Sequence, residues 1–101
     1  MNRSTILERS VVDRARHFAA LGDPTRLAIL EHLRGDTRCL CEMQEDLGMA
    51  PNLLSYHMRI LREAGLVSGS RNGRRIDYRI EPHGFDALCG ELEAFGGAGE
   101  R

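Results

Sequence analysis

The stretch Pro51-Asn52-Leu53-Leu54-Ser55-Tyr56-His57-Met58-Arg59-Ile60-Leu61-Arg62-Glu63-Ala64-Gly65-Leu66-Val67, continued through Arg71-Asn72-Gly73-Arg74-Arg75 into Ile76-Asp77-Tyr78-Arg79-Ile80, joins a helix to a hairpin. Proline suits the first position of a helix, where its missing N–H costs nothing, and Gly65 stops the run. Between them Leu54, His57, Met58, Leu61 and Ala64 fall on one side. At about 100° per residue the opposite face collects Asn52, Ser55, Tyr56, Arg59 and Glu63. Leu66-Val67 then opens a strand and Asn72-Gly73 is the strongest short hairpin signal. Beyond it Ile76, Tyr78 and Ile80 alternate with Arg75, Asp77 and Arg79, so a two-stranded wing is predicted.

Upstream, Thr37 can cap a short helix whose buried stripe is Leu40, Met43 and Leu47 and whose left-handed C-cap is Gly48. The next helix begins at Pro51, so the pair reads as a helix-turn-helix unit. Before it, Asp23-Pro24 supplies an N-cap and a first-turn proline for a helix with Leu27, Leu30 and Leu33 on its apolar stripe, running to Gly35. Residues 5–20 place Leu7, Val11, Ala15 and Phe18 at helical spacing, ending near Gly22. Downstream, Pro82 starts a last helix with Phe85, Leu88, Leu92 and Phe95 on one face, assigned to a dimer interface. The expected architecture is mainly α with a β-hairpin wing (α+β), a winged helix-turn-helix. Its order is four helices, two strands and a fifth helix, and it is expected to be a homodimer through its terminal helices. Residues 1–95 are expected to form a single domain, and 96–101, containing Gly96-Gly97-Ala98-Gly99, a flexible tail.

With 101 residues, 42% hydrophobic and 29% charged, the chain has the composition of one small soluble domain, too short for separate cofactor and substrate domains. A domain of this size buries only about 60–65% of its unfolded surface, which favours a second copy sharing the core. Apolar runs reach about four residues, as in Leu27-Ala28-Ile29-Leu30, far short of the roughly 20 that span a bilayer. The arginine-containing N-terminal segment is followed by no apolar core of a secretory signal, so a cytoplasmic protein is expected. In that compartment three cysteines, two of them only two positions apart, read as free thiols for metal or redox chemistry.

The formal net charge of −1 conceals a division: residues 51–79 carry Arg59, Arg62, Arg71, Arg74, Arg75 and Arg79 against Glu63 and Asp77, while the rest of the chain is acidic. On the polar face of the helix beginning at Pro51, Asn52 can pair with adenine, Arg59 with guanine, and Ser55 and Tyr56 with phosphate, in a groove wide enough for one helix. Any surface helix has a polar face, so this helix alone is even evidence; the wing changes the balance. Arg71, Arg74 and Arg75, with Asn72, cluster at the hairpin tip, where phosphate or a minor groove is in reach. His57 falls on the apolar side and reads as a satisfied core or backbone-positioning histidine. Enzyme function is not expected, since there is no Cys-x-x-Cys, no cysteine with a plausible His-Asp partner and no phosphate-binding glycine loop.

Three segments together carry a resemblance: Ala20-Leu21-Gly22-Asp23-Pro24-Thr25-Arg26-Leu27-Ala28-Ile29-Leu30, then Cys39-Leu40-Cys41-Glu42, then Ser55 through Val67. From about residue 15 to residue 81 the chain closely resembles the ArsR/SmtB family of metal-responsive winged-helix repressors. The resemblance implies a dimer on double-stranded operator DNA, an imperfect palindrome with half-sites about 10 bp apart or a multiple, released when an inducer binds. It also implies that Cys39 and Cys41 are metal ligands, occupying the place of the Cys-x-Cys motif at the start of the third helix. Soft thiolates suit As(III) and Sb(III) first, with Cd(II) and Pb(II) as alternatives, and a thiol redox or reactive-sulfur sensor of the same fold as another.

On a regular helix two residues two apart point about 200° from each other, so joint binding would require the first turn of the third helix to unwind. That unwinding would shift Leu40 and Met43 on the fourth helix and misplace Asn52 to Arg59. A helix N-terminus with Arg38 adjacent is expected to lower the thiol pKa. The chain departs from the family pattern in carrying Gln44 where arsenic sensors often have a third cysteine, and no cysteine in residues 1–20. Cys89 is the remaining candidate ligand, with interface packing as the competing reading. His83, Asp86, Glu91 and Glu93 do not reproduce the zinc-sensor spacing, and His17 and His32 are expected to be solvated.

Overall fold

The structure, a computed structural model, describes residues 9–97. Leu7 and residues 98–101 of the expected tail lie outside them. In chain order the elements are α1 (Arg9–Leu21), α2 (Pro24–Leu33), β1 (Arg38–Cys39), α3 (Leu40–Leu47), α4 (Pro51–Glu63), β2 (Val67–Asn72), β3 (Arg75–Ile80) and α5 (Pro82–Gly96). The fold is mainly α, with one small antiparallel sheet made of the β2–β3 hairpin between α4 and α5 and of β1, which precedes α3.

Local chemistry places most of these boundaries. Asp23 caps α2, its Oδ1 accepting from the Thr25 and Arg26 amides at 2.7 and 3.2 Å, with Pro24 in the first turn. Such a cap contributes about 1 kcal/mol. Burial would raise the Asp23 carboxyl, but the amide bonds from Arg26 and Thr25 outweigh it and hold its pKa below the ordinary 3.8. Gly48 ends α3 in the left-handed region at φ 63°, where a side chain would be strained.

Three expectations are corrected. The wing is not an isolated two-stranded hairpin: β1 pairs with β3, Arg38 opposite Tyr78 and Cys39 opposite Asp77, giving the order β1-β3-β2. A two-residue strand carries no alternation to detect; it exists because the β3 edge offers unpaired backbone groups. Secondly, Thr37 does not cap α3. Cys39 does, in a reciprocal arrangement with Glu42: the Glu42 amide donates to Cys39 Sγ at 3.4 Å, and the Cys39 amide donates to Glu42 Oε1 at 2.9 Å. Thirdly, the hairpin ladder runs one residue further than its turn signal suggested. Asn72 lies opposite Arg75, leaving Gly73 and Arg74 as the turn.

The core collects Ala20 of α1, Ile29, Leu30 and Leu33 of α2, Met43 of α3, Leu54, Met58 and Leu61 of α4, Leu66 just before the hairpin, Val67 and Tyr78 of the sheet and Leu88 of α5. Each large side chain buried in this way contributes roughly 1.5–3 kcal/mol. Leu27, expected on the apolar stripe of α2, is instead half exposed, and Arg26 takes an inward position. At the base of the sheet, Glu81 donates its amide to the Leu66 carbonyl at 2.9 Å. There α5 begins so close to the end of α4 that a Cβ on Gly84 would overlap the Gly65 carbonyl oxygen. The histidines expected in solvent lie against carboxylates: His17 Nδ1 of α1 is 3.0 Å from Glu91 Oε2 of α5, and His32 Nε2 is 3.2 Å from Asp46 Oδ2 of α3.

Candidate nucleic-acid interface and thiol site

Burial of Leu54, His57, Met58 and Leu61 turns the opposite face of α4 outward. Asn52, Ser55, Tyr56 and Arg59 are all exposed there. They do not stand on a bare helix. With Arg62 they line a concavity closed on its other side by Leu40 of α3 and by Ile76 and Tyr78 of β3. The polar face of α4 and the root of the wing therefore bound one surface.

At the wing tip Arg71, Asn72, Arg74 and Arg75 are exposed, but the structure divides them. Asp77 takes both Asn72, whose Nδ2 donates to Oδ2 at 2.9 Å, and Arg75, whose Nε and Nη2 each lie 3.1 Å from Oδ1. Asn72 first, and Arg75 with it, hold the Asp77 carboxyl below its ordinary 3.8, against the opposing effect of burial. The same pair pushes Arg75 up. Arg71 and Arg74 enter no ion pair among the described residues. Counting charge along the sequence treated the three arginines alike because Asp77 was two positions away; in the strand, residues two apart share a face.

The cysteines are placed differently from the helical picture. Cys39 ends β1 in an extended conformation, φ −80° and ψ 161°, and only Cys41 lies within α3. Cys39 and Cys41 flank this strand-to-helix corner and line the same cavity, so they do not face apart as two residues of one regular helical turn would. Cys39 is buried and Cys41 exposed. The neighbouring Cys41 thiol raises the Cys39 thiol above its usual 9.0, reversing the expected lowering; the Glu42 amide pulls it down, but less strongly. Glu42 is itself held below 4.5, first by the Cys39 amide, and Arg75 and Arg38 add to that. Both thiols open onto a small cavity whose other walls are Leu40, Gln44, Arg74, Arg75 and Ile76. Cys89 is exposed on α5. Among the described residues no group of three His, Cys, Asp or Glu side chains is placed to hold an ion.

His57 is buried on α4 with its Nδ1 3.1 Å from Arg26 Nη1, and its ring meets Tyr56 edge-on at 5.0 Å. Sequence reasoning missed three polar residues that organise these surfaces: Glu42, Asp77 and Arg26. Glu42 had a local signal, as the fourth residue of Cys-Leu-Cys-Glu with cap spacing, and so had Asp77, two positions from Arg75 on one strand face; Arg26 had none.

A helix-turn-helix whose second helix presents a polar face beside a basic hairpin is the winged-helix class of DNA-binding regulator. Residues 23–68 match the profile of the bacterial regulatory protein, arsR family. The HTH-type transcriptional repressor SmtB of Mycobacterium tuberculosis is 38% identical over 93 residues, covering 91% of this chain and 67% of that protein. The arsenical resistance operon repressor of Escherichia coli is 35% identical over 68 residues, 65% of this chain and 57% of that one. An ArsR-like transcriptional regulator from Rhodococcus sp. RHA1 superposes with a TM-score of 0.79 at 28% identity, covering 91% of this chain and 87% of the other. The chain belongs to the arsR family of bacterial transcriptional regulators. Among the described residues no helix is long and apolar enough to cross a membrane.

Proposed function

We propose that the chain is a cytoplasmic, homodimeric, non-enzymatic repressor that leaves its operator when a thiophilic metal(loid), arsenite or antimonite first, binds Cys39 and Cys41. In this reading α4 enters the major groove with Asn52 on adenine, Arg59 on guanine and Ser55 and Tyr56 on phosphate. Arg71, Asn72, Arg74 and Arg75 of the wing approach the backbone or minor groove, on an imperfect palindrome of double-stranded DNA. Val11, Val12, Leu92 and Phe95, exposed on the two terminal helices, form the surface between two copies.

The observation that carries the inducer reading is that Cys39 and Cys41, at the β1–α3 corner, line one cavity together with the wing arginines Arg74 and Arg75. The donor set suits a soft ion. An ion held by both sulfurs displaces the thiol protons, to solvent for a metal cation or to the departing hydroxides of arsenite, which leave as water. It also changes the acceptor that caps α3 and the residue opposite Asp77. Two routes then reach the DNA face: Leu40 and Met43 of α3 against α4, and Cys39 through Asp77 to Arg75. Cys89 is the remaining thiol; an unchanged inducer response in Cys89→Ser assigns it to packing.

The test is fluorescence anisotropy of the reduced protein on its own upstream DNA, titrated in turn with arsenite, antimonite, cadmium, lead and zinc. Near-stoichiometric release by arsenite or antimonite, abolished in Cys39→Ser and in Cys41→Ser, is expected. Release only by cadmium or lead selects those ions. Tight binding that no ion disturbs overturns the metal reading. Adjacency of the two thiols equally favours a second reading, a redox or reactive-sulfur sensor, identified by release with oxidant that dithiothreitol reverses.

A further inference from the structure

Arg26 is a buried cation whose position no surface role explains. Its side chain is only 11% exposed. Nε donates to the Ala20 carbonyl at 2.8 Å and Nη2 to the Ala19 carbonyl at 3.0 Å, so the guanidinium occupies the open C-terminal end of α1. Asp23 Oδ2 lies 3.9 Å from Nη1. The same Nη1 is 3.1 Å from Nδ1 of His57, on the inward face of α4 and 31 residues away along the chain.

An arginine only donates, so Nδ1 must accept and the ring proton must sit on Nε2. His57 is 6% exposed and flanked by Leu54, Met58 and Leu61 along α4. A planar fork bonded on two edges fixes direction as well as distance, which a contact between apolar side chains does not.

We propose that Arg26 and His57 are positioning residues for DNA binding: one guanidinium locks the end of α1 to the inner face of α4 and so sets the angle at which Asn52, Ser55, Tyr56 and Arg59 are presented. The assignment rests on the reading that α4 enters the groove. It adds that α1, on which the second copy is proposed to pack, is joined to α4 through a buried polar contact and not by packing alone. Orientation therefore passes between the two surfaces through Arg26.

The experiment compares His57→Leu, which keeps the volume apolar but removes the acceptor, with His57→Gln, whose carbonyl can accept from Arg26. Arg59→Ala serves as the control for the reading of α4. Operator affinity is measured by anisotropy on protein whose folded fraction is established by circular dichroism. His57→Leu is expected to lose tenfold or more in affinity, the order that goes with losing a hydrogen bond to a charged group, and His57→Gln to recover most of it. Arg59→Ala is expected to weaken binding as well. If Arg59→Ala binds as wild type, the reading of α4 fails. If Arg59→Ala weakens binding while folded His57→Leu does not, the positioning assignment alone is overturned. Nitrogen chemical shifts of the His57 ring in the wild-type protein test the geometry independently of whether His57→Leu folds. A protonated Nε2 with an unprotonated, hydrogen-bonded Nδ1 is expected, and a proton on Nδ1 overturns the proposal.

Discussion

At the residue scale, three carboxylates are held below their ordinary values by specific donors. Asp23 has the α2 amides, Glu42 the Cys39 amide, and Asp77 the Asn72 amide group and Arg75. A carboxylate depressed in the folded state adds stability that is fully present above its unfolded value and lost as pH falls through the folded one. Urea midpoints are therefore expected to decline as pH falls below the ordinary 4.5 of Glu42 and on through the 3.8 of the two aspartates. Asp77→Asn should give a shallower decline in the same titration. The Asp77 pairing also separates the wing arginines. Arg71→Ala and Arg74→Ala are each expected to reduce the slope of log affinity against log salt by about 0.9. Arg75→Ala should reduce it less, since its charge is already shared; anisotropy at several salt concentrations reads all three. Equal slopes for Arg74→Ala and Arg75→Ala would mean that the ion pair opens on DNA.

At the scale of the element, the informative unit is the corner between β1 and α3. One side chain, Cys39, ends a strand, caps a helix and lines a cavity with the other cysteine. Serine is a good N-cap, so Cys39→Ser should keep α3 and leave stability within about 1 kcal/mol, making it a clean test of sensing. Glu42→Ala removes the reciprocal half of the cap and is expected to cost about 0.5–2 kcal/mol in urea unfolding. The other sensitive junction is between α4 and α5. Gly84 lies against the Gly65 backbone, so Gly84→Ala must displace α5, at about 1–3 kcal/mol in the same assay. Cys-Leu-Cys-Glu shows why helix starts are harder to place than helices. The apolar stripe of α3 was legible, but Thr37 and Cys39 both precede it, and which one caps depends on the chain's direction on leaving β3's edge.

At the scale of the whole molecule, α1 and α5 are joined by the His17–Glu91 pair while leaving Val11, Val12, Leu92 and Phe95 exposed, Phe95 to 74%. An apolar surface of this kind on a small domain is what a second copy would cover. Phe95→Glu is expected to shift the protein towards monomer in sedimentation velocity and to weaken operator binding, because one recognition helix cannot span two half-sites. Unchanged sedimentation would place the dimer surface elsewhere.

The sequence alone was enough to order the helices and hairpin, place the Asp23 and Gly48 caps and sort the faces of α4. Those features depend on residues within a few positions of one another, where helical and strand periodicities and cap chemistry act. Tertiary structure decided the rest. It made a strand of Arg38 and Cys39, set both cysteines on one cavity beneath the wing, gave Arg75 to Asp77, and drew Arg26 inward to His57 in place of Leu27. The β1–β3 pairing and the Arg26–His57 contact join distant segments, and Arg75–Asp77 joins residues two apart on one strand; each is a polar or backbone contact. Its partner is chosen by how the core brings elements together, because a buried donor or acceptor must be satisfied by whatever lies within reach once packing is complete.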